Sequence, residues 1–296
     1  MDSFSISELE QYSGIKSHTI RIWEKRYQAL SPNRSSGNTR QYDSRQLKRL
    51  LNISGLLDSG YRVSELCTMS DEVLRSLSSK MLVAKTPAPT EYFISQLISA
   101  ALTYDESQFV NIFSHCLLRY GMRDTYTQVL YPALNRIGLM WLNDTLSTAN
   151  EHFISNLIRQ KLFTAIDSLP PAKPGSPLWI LFLPENEFHE IGLLLAYYLI
   201  RLSGQRVIYL GGNVPKSSVR SAVKDLKPDN LLLSFVHHDL VLNIQNYIDR
   251  LRKDSPVNKI FVAANPELFY QLKPGKKIQF LGSAEELGAH LLLPAV

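Results

Sequence analysis

Leu178-Trp179-Ile180-Leu181-Phe182-Leu183 is continuously apolar, and after Pro184 it gives way to Glu185-Asn186-Glu187-Phe188-His189-Glu190-Ile191-Gly192. A short apolar run without alternation fits a strand buried on both faces, and the polar stretch behind it fits a loop at the strand's end. A helix is expected next, from about Ile191 to Ser203. The pattern then repeats. Val207-Ile208-Tyr209-Leu210 reads as a second strand, closed by Gly211-Gly212-Asn213; Leu231-Leu232-Leu233-Ser234-Phe235 as a third; Lys259-Ile260-Phe261-Val262-Ala263 as a fourth; and Ile278-Gln279-Phe280-Leu281 as a fifth. Strands alternating with helices at this spacing predict a doubly wound parallel sheet over residues 176–296, with ligands expected beyond the carboxyl ends of its strands. A histidine in the first such loop can ligate a metal, and a carboxylate two residues earlier can fix its tautomer. On spacing alone, a solvated or helix-capping His189 is the competing reading.

Working upstream, residues 91–172 are helical in pattern. Four apolar stripes follow one another: Phe93 to Leu102, Phe109 to Leu117, Tyr126 to Met140 and Phe153 to Ile166. Four helices with short turns predict a four-helix bundle, ended by Leu169-Pro170-Pro171-Ala172-Lys173-Pro174-Gly175. Residues 76–90 are expected to be a linker, since Ala84 to Thr90 carries two prolines and no apolar period.

Residues 1–75 read as short helices and a loop. Ser5 stands three residues ahead of Glu8, a capping-box start. Ser13-Gly14-Ile15 makes a turn, and a second helix over about Ser17 to Tyr27 puts Ile20 and Trp23 on one side and Arg21, Lys25 and Arg26 on another. Two short helices around a Gly turn, the second basic, describe a helix-turn-helix. The polar stretch Ser31 to Tyr42, with Gly37 at its tip, is expected to be a hairpin wing; Asp43 can cap a third helix running to Gly60, and Tyr61 to Leu66 opens a fourth.

Charge sharpens this division. Between Lys16 and Arg49 lie nine basic and two acidic residues, a net of +7, which leaves −2 for the rest of a chain whose total is +5. A basic excess confined to one segment points to nucleic acid as its partner. The whole chain, 296 residues with 45% hydrophobic and 20% charged, is long enough for several packed cores. Its longest strongly apolar run, Leu193 to Ile200, falls well short of the ~20 residues a membrane span needs. Asp2, Glu8 and Glu10 argue against a secretory leader, and two cysteines, Cys67 and Cys116, make no disulfide framework, so a reducing cytoplasm is expected.

The N-terminal pattern resembles the winged helix-turn-helix of the MerR family of transcription factors. Thr19-Ile20-Arg21-Ile22-Trp23-Glu24-Lys25-Arg26-Tyr27, Arg40-Gln41-Tyr42 and the Gly60-Tyr61 turn carry the resemblance. It implies that Thr19, Arg21 and Arg26 face double-stranded DNA in the major groove and that Arg34, Arg40 and Tyr42 hold flanking phosphates; Trp23, an aromatic at helical spacing, is expected in the core. Simple members of that family continue into a long coiled coil, which this sequence lacks.

The C-terminal pattern is similar to cobalamin-binding Rossmann domains of flavodoxin-like order. Glu187-x-His189-x-x-Gly192 has the spacing of their Asp-x-His-x-x-Gly loop, Leu210-Gly211-Gly212-Asn213-Val214-Pro215 resembles their second turn, and Ser234 lies where they place a serine against the nucleotide tail. Trp141, followed after nine residues by Glu151-His152, looks like the helical cap of light-responsive MerR-type repressors of the CarH/LitR kind. The resemblance implies adenosylcobalamin as cofactor, with His189 on the cobalt, Glu187 behind it, Gly192 and Ser234 at the corrin or its tail, and Trp141, Glu151 and His152 at the upper group. It implies a regulator rather than an enzyme, a dimer or tetramer whose assembly and operator binding answer to ligand and, as in the light-responsive members, to light. The departures are Glu187 for Asp, Phe235 beside the serine, Ala263-Ala264 where glycines are usual, and Leu142 where some light sensors carry a histidine; His237 and His238 match no family position. Glu187 and Ala263-Ala264 favour a second reading, in which the fold binds no cobalamin and serves another ligand or a protein partner; the retained Trp141, Glu151 and His152 disfavour it.

Overall fold

The computed structural model describes residues 4–34, 38–57, 61–81, 90–236, 241–270, 272–273 and 275–292. Gly37, Gly60, the linker residues 82–89 and the pair His237-His238 lie outside the described residues. The chain divides into two compact units, Met1–Leu157 and Ile158–Val296. The division falls inside one helix rather than at the proline-rich stretch 169–175 where the sequence suggests a break.

In the first unit, α1 (Ile6–Ser13) starts on the Ser5–Glu8 capping box and stops at Gly14, whose φ of 74° ends the helix in the left-handed region. α2 (Ser17–Tyr27) buries Ile20 and Trp23. Strands β1 (Asn33–Arg34) and β2 (Arg40–Gln41) pair antiparallel. α3 (Ser44–Leu56) begins where Asp43 accepts from the Gln46 N–H at 2.8 Å, and α4 (Val63–Thr68) and α5 (Asp71–Met81) follow.

Helices α6 (Thr90–Thr103), α7 (Glu106–Thr125), α8 (Tyr131–Leu142) and α9 (Thr148–Asp167) complete the helical region. The stripe expected over Tyr126 to Met140 is not one regular helix: Gly121 takes φ 71°, and Tyr126–Leu130 winds as a π-helical turn before α8. Helices α1 and α3 pack directly on this group. A Cβ at Gly55 of α3 would lie 2.6 Å from Ser95 Oγ and 3.3 Å from the Tyr92 Cα, so α3 and α6 cross at near-backbone distance. The Tyr12 hydroxyl at the end of α1 lies 2.7 Å from Thr145 Oγ1 and accepts from Asn143 at 3.4 Å. Arg136 of α8 donates both Nη groups to Glu91 at 2.6 and 2.8 Å and packs beside Gly14.

The second unit is a Rossmann-like α/β domain around five parallel strands: β3 (Leu178–Pro184), β4 (Arg206–Val214), β5 (Asn230–Ser234), β6 (Lys259–Ala263) and β7 (Ile278–Leu281). Their order is β4-β3-β5-β6-β7. Alternate residues go to opposite layers. Ile180, Phe182, Leu231, Leu233, Ile260 and Val262 pack with α11 (Lys216–Leu226) and α12 (Val241–Asp254) through Val219, Val223, Ile244 and Ile248. Trp179 and Phe261, 4.8 Å apart between ring centres, share the other layer with His290 of α14 (Ala284–His290). α10 (Glu190–Leu202) is apolar on its buried face, and α13 (Pro266–Phe269) follows β6.

The second strand runs four residues beyond the expected Leu210 because it absorbs the Gly-Gly-Asn segment in two register shifts, Leu181/Phe182 and Phe182/Pro184 of β3 facing Tyr209, Gly211 and Val214. Gly211 (φ 80°) and Asn213 (φ 53°) are left-handed there, as bulges require.

Candidate functional site

Because the chain leaves β3 for β4 on one side and returns to β5 on the other, the carboxyl ends of β3 and β5 bound a crevice at the switch point of the sheet. Glu187, in the loop after β3, is fully buried there. Its Oε1 accepts from the backbone N–H groups of Phe188 at 2.9 Å and His189 at 3.1 Å, and from His189 Nδ1 at 2.5 Å. Its Oε2 accepts from the Val236 N–H at 2.9 Å, from the segment after β5. One carboxylate thus ties both lips of the crevice. Burial pushes its pKa up, but the hydrogen bonds from His189 and Val236 outweigh that and hold it down at about 2.

With Nδ1–H spent on Glu187, the His189 lone pair sits on Nε2, and the side chain is about half exposed (49%). The extra methylene of Glu187 does not separate the pair. Among the described residues no three His, Cys, Asp or Glu side chains converge as a metal cluster. A single oriented imidazole suits a metal that brings its other ligands with it, as a corrin's cobalt does.

The bulged β4 end clasps the same loop. The Asn213 N–H donates to the Glu187 carbonyl at 2.9 Å, Asn213 Oδ1 accepts from the Asn186 N–H at 3.0 Å, and the Gly212 N–H and Tyr209 hydroxyl both donate to Glu190 Oε1. Gly192 lies exposed in the first turn of α10, and Ser234 ends β5 nearly buried beside Ala263. Phe235 turns into the core, edge-on to Tyr247, instead of crowding the serine. Ala263 and Ala264 are half-buried.

The remaining candidate residues belong to the first unit. Trp141, at the end of α8, is not interior: it is 41% exposed, and its Nε1–H donates to Thr148 Oγ1 at 3.2 Å. One turn further along α9, Glu151 lies 2.7 Å from His152 Nδ1 and accepts from Ser155 at 2.5 Å. Trp141, Glu151 and His152 therefore share the α8–α9 corner.

On the basic surface, Arg21, Arg26 and Arg34 are exposed and Thr19 is half-buried. Arg40 is drawn back, its Nε–H donating to Glu24 at 2.9 Å. Tyr42, expected on a phosphate, is instead a core residue: it is 1% exposed, its hydroxyl donates to Glu24, and burial with that carboxylate raises its pKa. A lone acid in a basic helix was the signal for this anchor, and only the pairing in space gives it meaning. Val236 carried no signal, because any residue offers the same backbone N–H.

Residues 4–72 match the family of MerR HTH regulatory proteins, and residues 94–165 match the B12 binding domain. The chain is 28% identical over 258 residues to the HTH-type transcriptional repressor CarH of Myxococcus xanthus, covering 86% of each. It is also 28% identical over 238 residues to that organism's repressor CarA, covering 78% of this chain and 76% of CarA. The monomethylamine corrinoid protein of Methanosarcina barkeri superposes with a TM-score of 0.54 at 16% identity, covering 69% of this chain and 99% of that one, a likeness of fold. Together these matches support a MerR-family regulator with a B12-binding domain.

Proposed function

We propose that this cobalamin-sensing transcriptional regulator binds operator DNA through a winged helix-turn-helix and takes adenosylcobalamin onto His189. The observation that carries the reading is the Glu187–His189 pair at the sheet's switch point, with Nδ1 held by the buried carboxylate and the imidazole about half exposed. Cobalamin, when bound, would supply a cobalt centre that the His189 imidazole could ligate. Glu187 fixes the ring's tautomer and orientation, while Gly192 and Ser234 border the corrin and its tail. The roles of Trp141, Glu151 and His152 at the upper group come from the family resemblance, while the domain boundaries 1–75, 76–90, 91–172 and 176–296, the four-helix bundle and a cytoplasmic setting rest on the sequence pattern and cysteine usage. Arg21, Arg26, Arg34 and Thr19 face DNA. Oligomerisation couples the two ends, because a ligand shifts assembly by its differential affinity for the two states.

The test is the absorbance spectrum of the chain mixed with adenosylcobalamin, in the dark and after illumination, with gel filtration and operator binding on the same samples. Retained corrin absorbance that is lost in His189→Ala supports the reading. Absence of corrin from the wild-type chain favours another ligand in this fold, the outcome toward which Ala263 and Ala264 point. No helix among the described residues is long and apolar enough to cross a membrane.

A further inference from the structure

At Gly55 the α3–α6 crossing is nearly backbone to backbone, but away from that point the neighbouring helices open a cavity of about 1080 Å³. Helix faces that look at one another are normally apolar. Here four of them are polar, from α3, α5, α6 and α7.

An amide ladder lines the cavity: Gln108 Nε2 donates to Gln96 Oε1 at 2.8 Å, and Gln96 Nε2 donates to Asn52 Oδ1 at 3.1 Å. Its two ends, Asn52 Nδ2 and Gln108 Oε1, keep in-plane donor and acceptor capacity. On the α3–α5 wall, Asp71 is already engaged by Arg45 at 3.0 Å and Arg49 at 2.6 Å. Lys48 lies beside Arg75 on the same wall and makes no ion pair among the described residues. Burial and then the neighbouring Arg75 lower its pKa. Ser78, 3% exposed and lining the cavity, has a buried Oγ with no hydrogen-bond partner. A buried hydroxyl left unpaired costs free energy that a ligand can recover.

We propose that this cavity binds a nucleoside monophosphate. Its phosphate lies against Lys48 and Arg75 with Ser78 Oγ–H as a further donor, and its base edge lies on the Asn52–Gln96–Gln108 ladder. A phosphate monoester brings nearly two negative charges to two adjacent cations, where a carboxylate brings one. Carboxamide side chains match the paired donors and acceptors of a base edge. The volume admits a nucleotide. Its walls come from both the DNA-side helices and α6–α7, so an occupant would fasten one to the other. The inference does not depend on cobalamin.

The test is equilibrium dialysis of the full chain against AMP, GMP, CMP, UMP and inorganic phosphate, with thermal midpoints measured alongside. The expected result is saturable binding of at least one nucleotide, one per chain, tighter than inorganic phosphate. Lys48→Gln should weaken it tenfold or more, from loss of a charge-assisted bond. Gln108→Leu should weaken the nucleotide but not phosphate, which separates the ladder from the cations; an unchanged midpoint without ligand confirms that each variant folds. Absence of nucleotide binding overturns the proposal, as does binding indifferent to Lys48→Gln. Phosphate bound as tightly as every nucleotide overturns the base subsite. A Lys48→Gln defect confined to DNA affinity makes this wall a DNA contact and overturns the site.

Discussion

Replacing Glu187 by Gln keeps the side chain's shape and removes its charge. In the native crevice the carboxylate accepts four hydrogen bonds, three on Oε1 and one on Oε2. A glutamine oxygen can keep the three, but its NH2 then faces the Val236 N–H, so one charge-assisted bond worth about 1.5–3 kcal/mol is lost and a donor is left against a donor. The depressed pKa reports the same bonds from another side: a carboxyl held at about 2 instead of its ordinary 4.5 contributes on the order of 3 kcal/mol at neutral pH. For a unit of this size that lowers the unfolding midpoint by about 10 °C. The sign with pH follows from the depressed value. The stabilisation is complete above about pH 4.5 and is lost as pH falls toward 2, so the gap between wild type and Glu187→Gln narrows below pH 4.5. Thermal unfolding followed by fluorescence of the buried Trp179 and by circular dichroism, at pH 7, 5 and 4, reads both effects. Equal midpoints at pH 7, or a gap that stays constant on acidification, would refute the assignment of Glu187 as the tie between the loops.

Other substitutions probe the first unit. Gly55→Ala puts a methyl 3.3 Å from the Tyr92 Cα, and forcing α3 from α6 should cost about 1–3 kcal/mol in urea unfolding; a neutral result would mean that the crossing is loose. Tyr12→Phe removes the bond to Thr145 and should cost about 1 kcal/mol in the same assay. Arg26→Ala should weaken operator binding and reduce the salt slope of log K by about one, measured by fluorescence anisotropy. Arg40→Ala, whose guanidinium already serves Glu24, should reduce that slope less; equal slopes for the two variants would place Arg40 on phosphate after all.

The five strands were legible because their residues are buried on both faces, and continuous apolarity survives any tertiary rearrangement. The Glu187–His189 spacing was legible for a similar reason, since two residues in one short loop must lie close together. What escaped was long-range. The Val236 N–H meets Glu187 across 49 positions of sequence with no side-chain signature. Tyr42 looks like a DNA contact by its place beside Arg40, and only the approach of Glu24 and the wrapping of the core around its ring turn it inward. The π-helical turn after Gly121 leaves the apolar stripe intact, so periodicity alone carries through it.

The bond between Tyr12 and Thr145 joins residues 133 positions apart, one on the helix before the DNA-reading helix and one in the turn after Trp141. Its consequence concerns what can be cut. A fragment ending at residue 75 would keep every arginine expected on DNA, yet it would strip Tyr12 of its hydroxyl partners and lay bare the face of α3 that Gly55 presses onto Tyr92. The reader is therefore not a detachable head. Its shape is borrowed in part from α6, α8 and the turn that follows α8, and a substitution in the turn 143–145 is a substitution in the DNA-binding domain in all but sequence position.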